Sequence, residues 1–273
     1  MKKLLLTIDV EQDIPSKLNG SYKGIESLPQ FLDLLKKMNL KASFFTTADV
    51  CIKYPEIMKR IVNENHQIGC HGYSHRELWF KTYNQQLKEI RKSTEIIKDI
   101  LGIEPHIFRA PRFSANNKTI KVLEELGYEI DSSVLPNNVV KGFKGLFTFH
   151  SHIGAQNTPY HPSYKDIVKK GESPIIEVPL TENPTIEGAP IGAGFLNKFG
   201  AIKTCEIMNE VKEEYLIFLI HPWELVDLSK YYPSLDSWVL EICSENLRLY
   251  EEFFESLKKE YIFCNFKDLF QKH

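Results

Sequence analysis

The order of apolar runs in this chain predicts an α/β fold, a parallel sheet with helices outside it, wound either as an open sheet or as a barrel. Two observations carry that expectation. Short strand-like runs alternate with helix-period segments through most of the sequence. Polar residues also recur in or just after six of the short runs, as Asp9, His71, Arg109, Asp131, Glu177 and His221. Both architectures present the C-terminal ends of their strands to a ligand. One polar residue there means little, but the recurrence predicts a shared site. There is no internal repeat and no change of composition regime, so residues 1–273 are expected to form a single domain.

In chain order, Leu4 to Ile8 reads as a first buried strand that ends at Asp9, Glu11 and Asp13. Ser27 to Met38 has helical spacing, with Ser27 as N-cap and Pro29 in the first turn. Ala42 to Thr46 is a second strand, and Glu56 to Asn65 a second helix after Pro55. Gln67 to Cys70 is a third strand, which delivers His71-Gly72-Tyr73-Ser74-His75. Tyr83 to Leu101 is a long helix stopped by Gly102. Ile107-Phe108 feeds Arg109-Ala110-Pro111-Arg112, Lys118 to Leu126 is helical, and Tyr128 to Ile130 leads into Asp131-Ser132-Ser133. From Pro136 to Pro174 periodicity dissolves, as in a binding loop or lid. Ile175 to Val178 resumes a strand, Pro179 to Gly194 is a second irregular loop, and Phe199 to Glu213 is helical. Tyr215 to Ile220 is the most apolar strand and ends in His221-Pro222-Trp223-Glu224; a helix over Trp238 to Leu257 and a strand over Tyr261 to Phe266 close the chain.

The composition is that of a globular chain, 42% hydrophobic and 26% charged, and the net charge of −2 implies no general attraction to nucleic acid or acidic membrane. Five scattered cysteines without a C-x-x-C pair read as buried thiols rather than a disulfide framework. Cys70 adjoins His71, but neighbouring strand positions face opposite ways, which argues against it as a metal ligand. The N-terminal apolar run meets Asp9 too early for a signal peptide. No window is long and apolar enough to span a bilayer, and a cytoplasmic protein is expected.

The chemistry centres on His71 and His75. Two imidazoles four positions apart meet on one side of a helical turn and can reach one metal ion. With one carboxylate they form a three-ligand set that leaves room for a water, whose pKa the metal lowers toward ~7. Amide hydrolysis further needs a base for the water's proton and an acid for the departing amine. Asp9 and Glu11, two apart, share a face on a regular strand, so one can be ligand and the other base. His221 is the candidate acid. Arg109 suits a carboxylate base that must stay ionised and oriented.

These residues resemble the motifs of the polysaccharide deacetylase family of metal-dependent carbohydrate esterases. Thr7-Ile8-Asp9-Val10-Glu11, His71-Gly72-Tyr73-Ser74-His75, Arg109-Ala110-Pro111 and Leu219-Ile220-His221 stand in the family's order. The branch with D-V-E, H-G-Y-x-H, R-A-P-x-F-S and H-P-W-E motifs is the most similar. The resemblance implies a distorted (β/α) barrel of about seven parallel strands. It implies Asp9 as general base, His71 and His75 as ligands of Zn²⁺ or another divalent metal, Arg109 as partner of Asp9, and His221 as general acid. Asp131 resembles the acidic residue that orients a catalytic partner, and the backbone N–H of Arg112, after Pro111, would help hold the oxyanion. Two departures matter. The family's second Asp is Val10 here, which leaves Glu11 as the substitute ligand and Asp13 as the fallback. An aromatic residue usually follows R-x-P, and here it is Arg112, a cation suited to an anionic substrate. Tyr73, Pro111, Arg112, Phe113 and Trp223 are the candidate substrate contacts.

The function implied is removal of an N-acetyl or similar short acyl group from an amino sugar of a glycan or glycan precursor. Two alternatives remain: another C–N amide hydrolase on the same scaffold, either a deformylase or a metal-independent cyclic-amide hydrolase, and a carbohydrate-binding relative without catalysis.

Overall fold

In the computed structural model the described residues are 1–14, 17–142 and 147–270. Residues 143–146 of the expected long loop lie outside them. The fold is the expected (β/α) barrel type, a parallel sheet of seven strands with helices outside. Its strands run in the order Tyr215–Ile220, Lys2–Val10, Ser43–Thr46, Gln67–Cys70, Ile107–Phe108, Ile130–Asp131 and Ile176–Glu177, with Tyr261–Cys264 added on Lys2–Val10. The chain divides into two compact units.

The first unit comprises residues 1–44, 54–67 and 191–273. Its centre is Lys2–Val10, buried from Leu4 to Val10 as an inner strand of a parallel sheet covered on both faces is. Ile8 lies across from Ile220 in the parallel pairing, so Asp9 and His221 are the next residues on adjacent strands. Phe31, Phe218, Tyr250, Phe253 and Phe254 pack edge to face and tilted around these strands.

The first helix runs over Lys23–Lys37 and starts earlier than the sequence suggested, so Ser27 is not its N-cap and Pro29 lies inside it. The reason is Asp13. Its carboxylate accepts from the backbone N–H of Lys23 (2.6 Å) and Gly24 (2.9 Å), which caps the helix from the preceding loop. The expected helix over Trp238 to Leu257 is two, Ser237–Glu241 and Leu247–Leu257. The helix expected from Phe199 begins at Ala193 and breaks at Gly200, whose φ of 79° is left-handed.

The second unit comprises residues 45–53 and 68–190. Asp131 pairs with Phe108 on one side and with Glu177 on the other, so three strand ends lie level. The long helix Tyr83–Leu101 has the expected bounds; Thr82 and Gln85 close a capping box at its start, and Gly102 ends it at φ 68°. The two irregular stretches each contain an antiparallel hairpin, Val139–Gly142 with Phe147–Ser151 and Glu182–Asn183 with Ile186–Pro190. All five cysteines are free thiols. Among the described residues no helix is long and apolar enough to cross a membrane.

Candidate active site

In the first unit, Asp9 and Glu11 stand at the end of the central strand, and both are buried. His221 follows the last residue of Tyr215–Ile220 and opens a short 3₁₀ turn over Pro222–Leu225. That turn brings Glu224 back under the imidazole. Glu224 Oε2 accepts from the His221 backbone N–H at 2.7 Å and from the ring Nδ1 at 3.1 Å. Donating Nδ1–H to a carboxylate leaves Nε2 as the working nitrogen. Trp223 stacks on the ring at 4.9 Å between centroids and 21° between planes, and its Nε1 donates to Glu11 Oε1 at 3.5 Å, the long limit of a hydrogen bond. Burial works against a charge on His221. The carboxylates of Glu224, Glu11 and Asp9 outweigh it and push the imidazole up to about 9. His221 is therefore an imidazolium at neutral pH, the form a general acid requires. Asp13 is fully engaged as a helix cap, with Ser21 as a further donor, and burial still raises its carboxyl above the usual range. It is not available as the fallback ligand.

In the second unit, His71 and His75 meet ring to ring, with centroids 5.3 Å apart and planes tilted by 50°. The connecting segment is an irregular turn, not the helical turn expected from the spacing. Gly72 (φ 76°) and His75 (φ 57°) are left-handed, and the carbonyls of Gly72 and Tyr73 accept from the backbone N–H of Ala48 and Asp49 at 3.0 Å each. This pins the turn to the start of the Ala48–Lys53 helix. The imidazole Nδ1 of His71 donates to the Arg109 carbonyl at 2.8 Å. A carbonyl only accepts, so the proton sits on Nδ1 and the lone pair on Nε2, as a metal ligand needs.

Arg109 is fully buried, with its guanidinium 4.2 Å above the Phe45 ring; Nε donates to the Ser132 carbonyl (2.9 Å) and an η-nitrogen to Ser132 Oγ (3.0 Å). Asp131 accepts from Ser133 Oγ, and Ser133 in turn accepts from the Ala110 N–H at 2.8 Å. Asp131 thus supports the Arg109–Pro111 turn. Its other carboxyl partner is Glu177. Burial pushes Asp131 up to about 6 despite the bonds from Ser133 and Glu177 and the charge of Arg109. Burial and the Asp131 charge push Glu177 well above its ordinary value. Two buried carboxyls in contact share one proton. Beyond Pro111, Arg112 and Phe113 are both left-handed (φ 52° and 56°). Arg112 spends its charge on Glu77 at 2.6 Å.

Sequence reasoning gave no role to Glu224, although its place three residues after His221 in a turn was the available signal. Ser132 and Ser133 carried no signal beyond their position after Asp131. Glu11 in the first unit presents a carboxylate, and His71 and His75 in the second present two imidazoles, donor types that a metal ion can use. One carboxylate and two imidazoles suit Zn²⁺ or a similar divalent cation.

The polysaccharide deacetylase family model matches residues 2–130. A peptidoglycan deacetylase of Helicobacter pylori is 28% identical over 192 residues, 65% of this chain and 65% of that protein. A peptidoglycan-N-acetylglucosamine deacetylase of Bacillus cereus is 40% identical over 87 residues, 32% of each. The chain therefore spans less than two thirds of the length of either relative. A crystal structure from Mycobacterium smegmatis, described as a candidate polysaccharide deacetylase, superposes with a TM-score of 0.68 at 16% identity, covering 98% of this chain and 89% of that one.

Proposed function

We propose, for a chain whose residues 2–130 match the polysaccharide deacetylase family model, a metal-dependent hydrolase that removes an N-acetyl or similar short acyl group from an amino sugar of a glycan. The observation that carries this reading is the His71–His75 pair, two imidazoles 5.3 Å apart with the His71 tautomer fixed by Arg109. The similarity to peptidoglycan deacetylases supports the substrate class.

In this reading Glu11, His71 and His75 hold the cation. A divalent ion so bound supplies Lewis acidity to the acyl carbonyl and lowers the pKa of water. Asp9 takes the proton from the attacking water, with Arg109 as its cationic partner. His221, protonated at neutral pH, gives a proton from Nε2 to the departing amine, which cannot leave as an anion. Glu224 holds His221 in place and in the required tautomer. The backbone N–H of Arg112 stabilises the oxyanion.

Elemental analysis of the wild type and of His71→Ala/His75→Ala tests the reading, together with acetate release from N-acetylglucosamine oligomers. The expected result is about one divalent ion per chain in the wild type and none in the variant, with release lost alongside. A wild type that binds no metal after incubation with zinc overturns it. A second reading rests on Val10, buried and apolar where the family has its second acid. It is a metal-independent amide hydrolase, and acyl release that survives chelation would favour it.

A further inference from the structure

The Tyr83–Leu101 helix and the segment before it flank an open cleft of about 410 Å³. That volume is in the range of small-ligand pockets. Its walls include Tyr73, Arg76, Lys81, Lys88, Glu89 and Lys92, four cationic side chains against one carboxylate. Lys81 pairs with Glu89, so the excess charge falls on Arg76, Lys88 and Lys92, all exposed. Lys88 and Lys92 are one helical turn apart on the same face, where like charges repel. The Lys92 ammonium stands 4.5 Å above the Tyr73 ring. The ammonium thus lies on the ring face and is positioned by it, and the cleft presents a cationic surface suited to a chain that carries negative charge.

We propose that this cleft binds an acidic glycan chain, with ring-borne anionic groups on Arg76, Lys88 and Lys92. The inference rests on the glycan-deacetylase reading and extends it: the substrate is longer than the reacting sugar and is anionic. A lone phosphate fits less well, because the cations are spread over more than one helical turn and the cleft is much larger than that ion. Arg112, the cation the sequence suggested for this role, is neutralised by Glu77.

Calorimetric titration tests this with three probes: a hexasaccharide of alternating N-acetylglucosamine and glucuronate, the neutral hexamer of N-acetylglucosamine, and inorganic phosphate. The acidic hexamer should bind about tenfold or more tightly than the neutral one, with the advantage shrinking as salt rises. Lys88→Gln/Lys92→Gln, a pair of exposed changes, should abolish that advantage while leaving neutral-oligomer binding and acetate release at wild-type levels. Equal affinity for the two hexamers overturns the proposal, as does an acidic preference that survives the double variant. Phosphate binding as tightly as the acidic hexamer, and lost in the same variant, overturns it in favour of a phosphate site. Acetate release from the neutral hexamer without an acidic preference leaves the deacetylase reading standing and removes only this inference.

Discussion

Glu224 grips His221 at two points, accepting from its backbone N–H at 2.7 Å and from its ring Nδ1 at 3.1 Å. The same carboxylate fixes the ring's position, its tautomer and much of its charge. His221→Ala should lower kcat by ~10²–10⁴-fold, the usual worth of a general acid. Glu224→Gln should cost less than that and act on kcat more than on KM. An imidazolium with a pKa of about 9 keeps activity through neutral pH and loses it above about 9. Without the Glu224 charge only Glu11 and Asp9 oppose the effect of burial, and the alkaline limb of the kcat profile should move to lower pH. A limb that stays in place would refute the assignment.

Asp13 and Glu11 are two positions apart yet have different work. Asp13→Ala removes the acceptor for Lys23 N–H and Gly24 N–H. It should lower unfolding stability by about 1–2 kcal/mol, as loss of a helix cap does, and leave metal content unchanged. Glu11→Ala should do the reverse, abolishing metal binding with a smaller loss of stability. Denaturant titration and elemental analysis on the two variants give the comparison.

Gly24 sits where a methyl group has no room. An added Cβ would lie 2.3 Å from the Trp223 nitrogen and 2.5 Å from the Pro222 carbonyl carbon. Both belong to the backbone of the turn that carries His221 and Glu224, so neither yields as a flexible side chain would. Gly24→Ala should cost ~1–3 kcal/mol through overpacking and also reduce kcat by displacing that turn. Wild-type kcat in a destabilised Gly24→Ala protein would show the turn to be independent of the helix.

The Asp131–Glu177 pair makes stability fall as pH rises. Asp131 goes from 3.8 unfolded to about 6 folded, so the native state keeps a proton that the unfolded chain releases. For Asp131 the stabilisation is complete below the unfolded value and is lost as pH rises through about 6, while Glu177, raised well above its ordinary value, extends the loss to higher pH. Asp131→Asn keeps the acceptor for Ser133 and carries no charge. The Tm difference between this variant and the wild type should shift in the variant's favour from about pH 4 to about pH 7. A difference independent of pH would contradict the raised Asp131 carboxyl.

Much of this was legible in the sequence because it is local. Gln67–Cys70, Tyr83–Leu101, Ile107–Phe108 and Tyr215–Ile220 have the bounds that their periodicity and flanking residues suggest. The His71–His75 contact was legible as a spacing but not as a conformation, because its turn depends on backbone bonds to Ala48 and Asp49, remote in sequence. The start of the first helix was misplaced for the same reason: its cap, Asp13, lies ten residues upstream of Lys23. The charge of Arg112 suggested an anion contact, and only the fold reveals that Glu77 answers it. Hairpins such as Val139–Gly142 with Phe147–Ser151 leave no clear alternation in a stretch rich in Gly, Asn and His.

Trp223 lies flat on the His221 ring and touches Glu11 through its indole nitrogen. Protonated imidazole quenches the emission of an adjacent indole, so this side chain is an intrinsic optical reporter. Its fluorescence should brighten as His221 deprotonates and should respond when the Glu11 carboxylate takes up a cation. The protonation state and the loading of the centre can thus be followed in the resting protein, without a substrate and without a label.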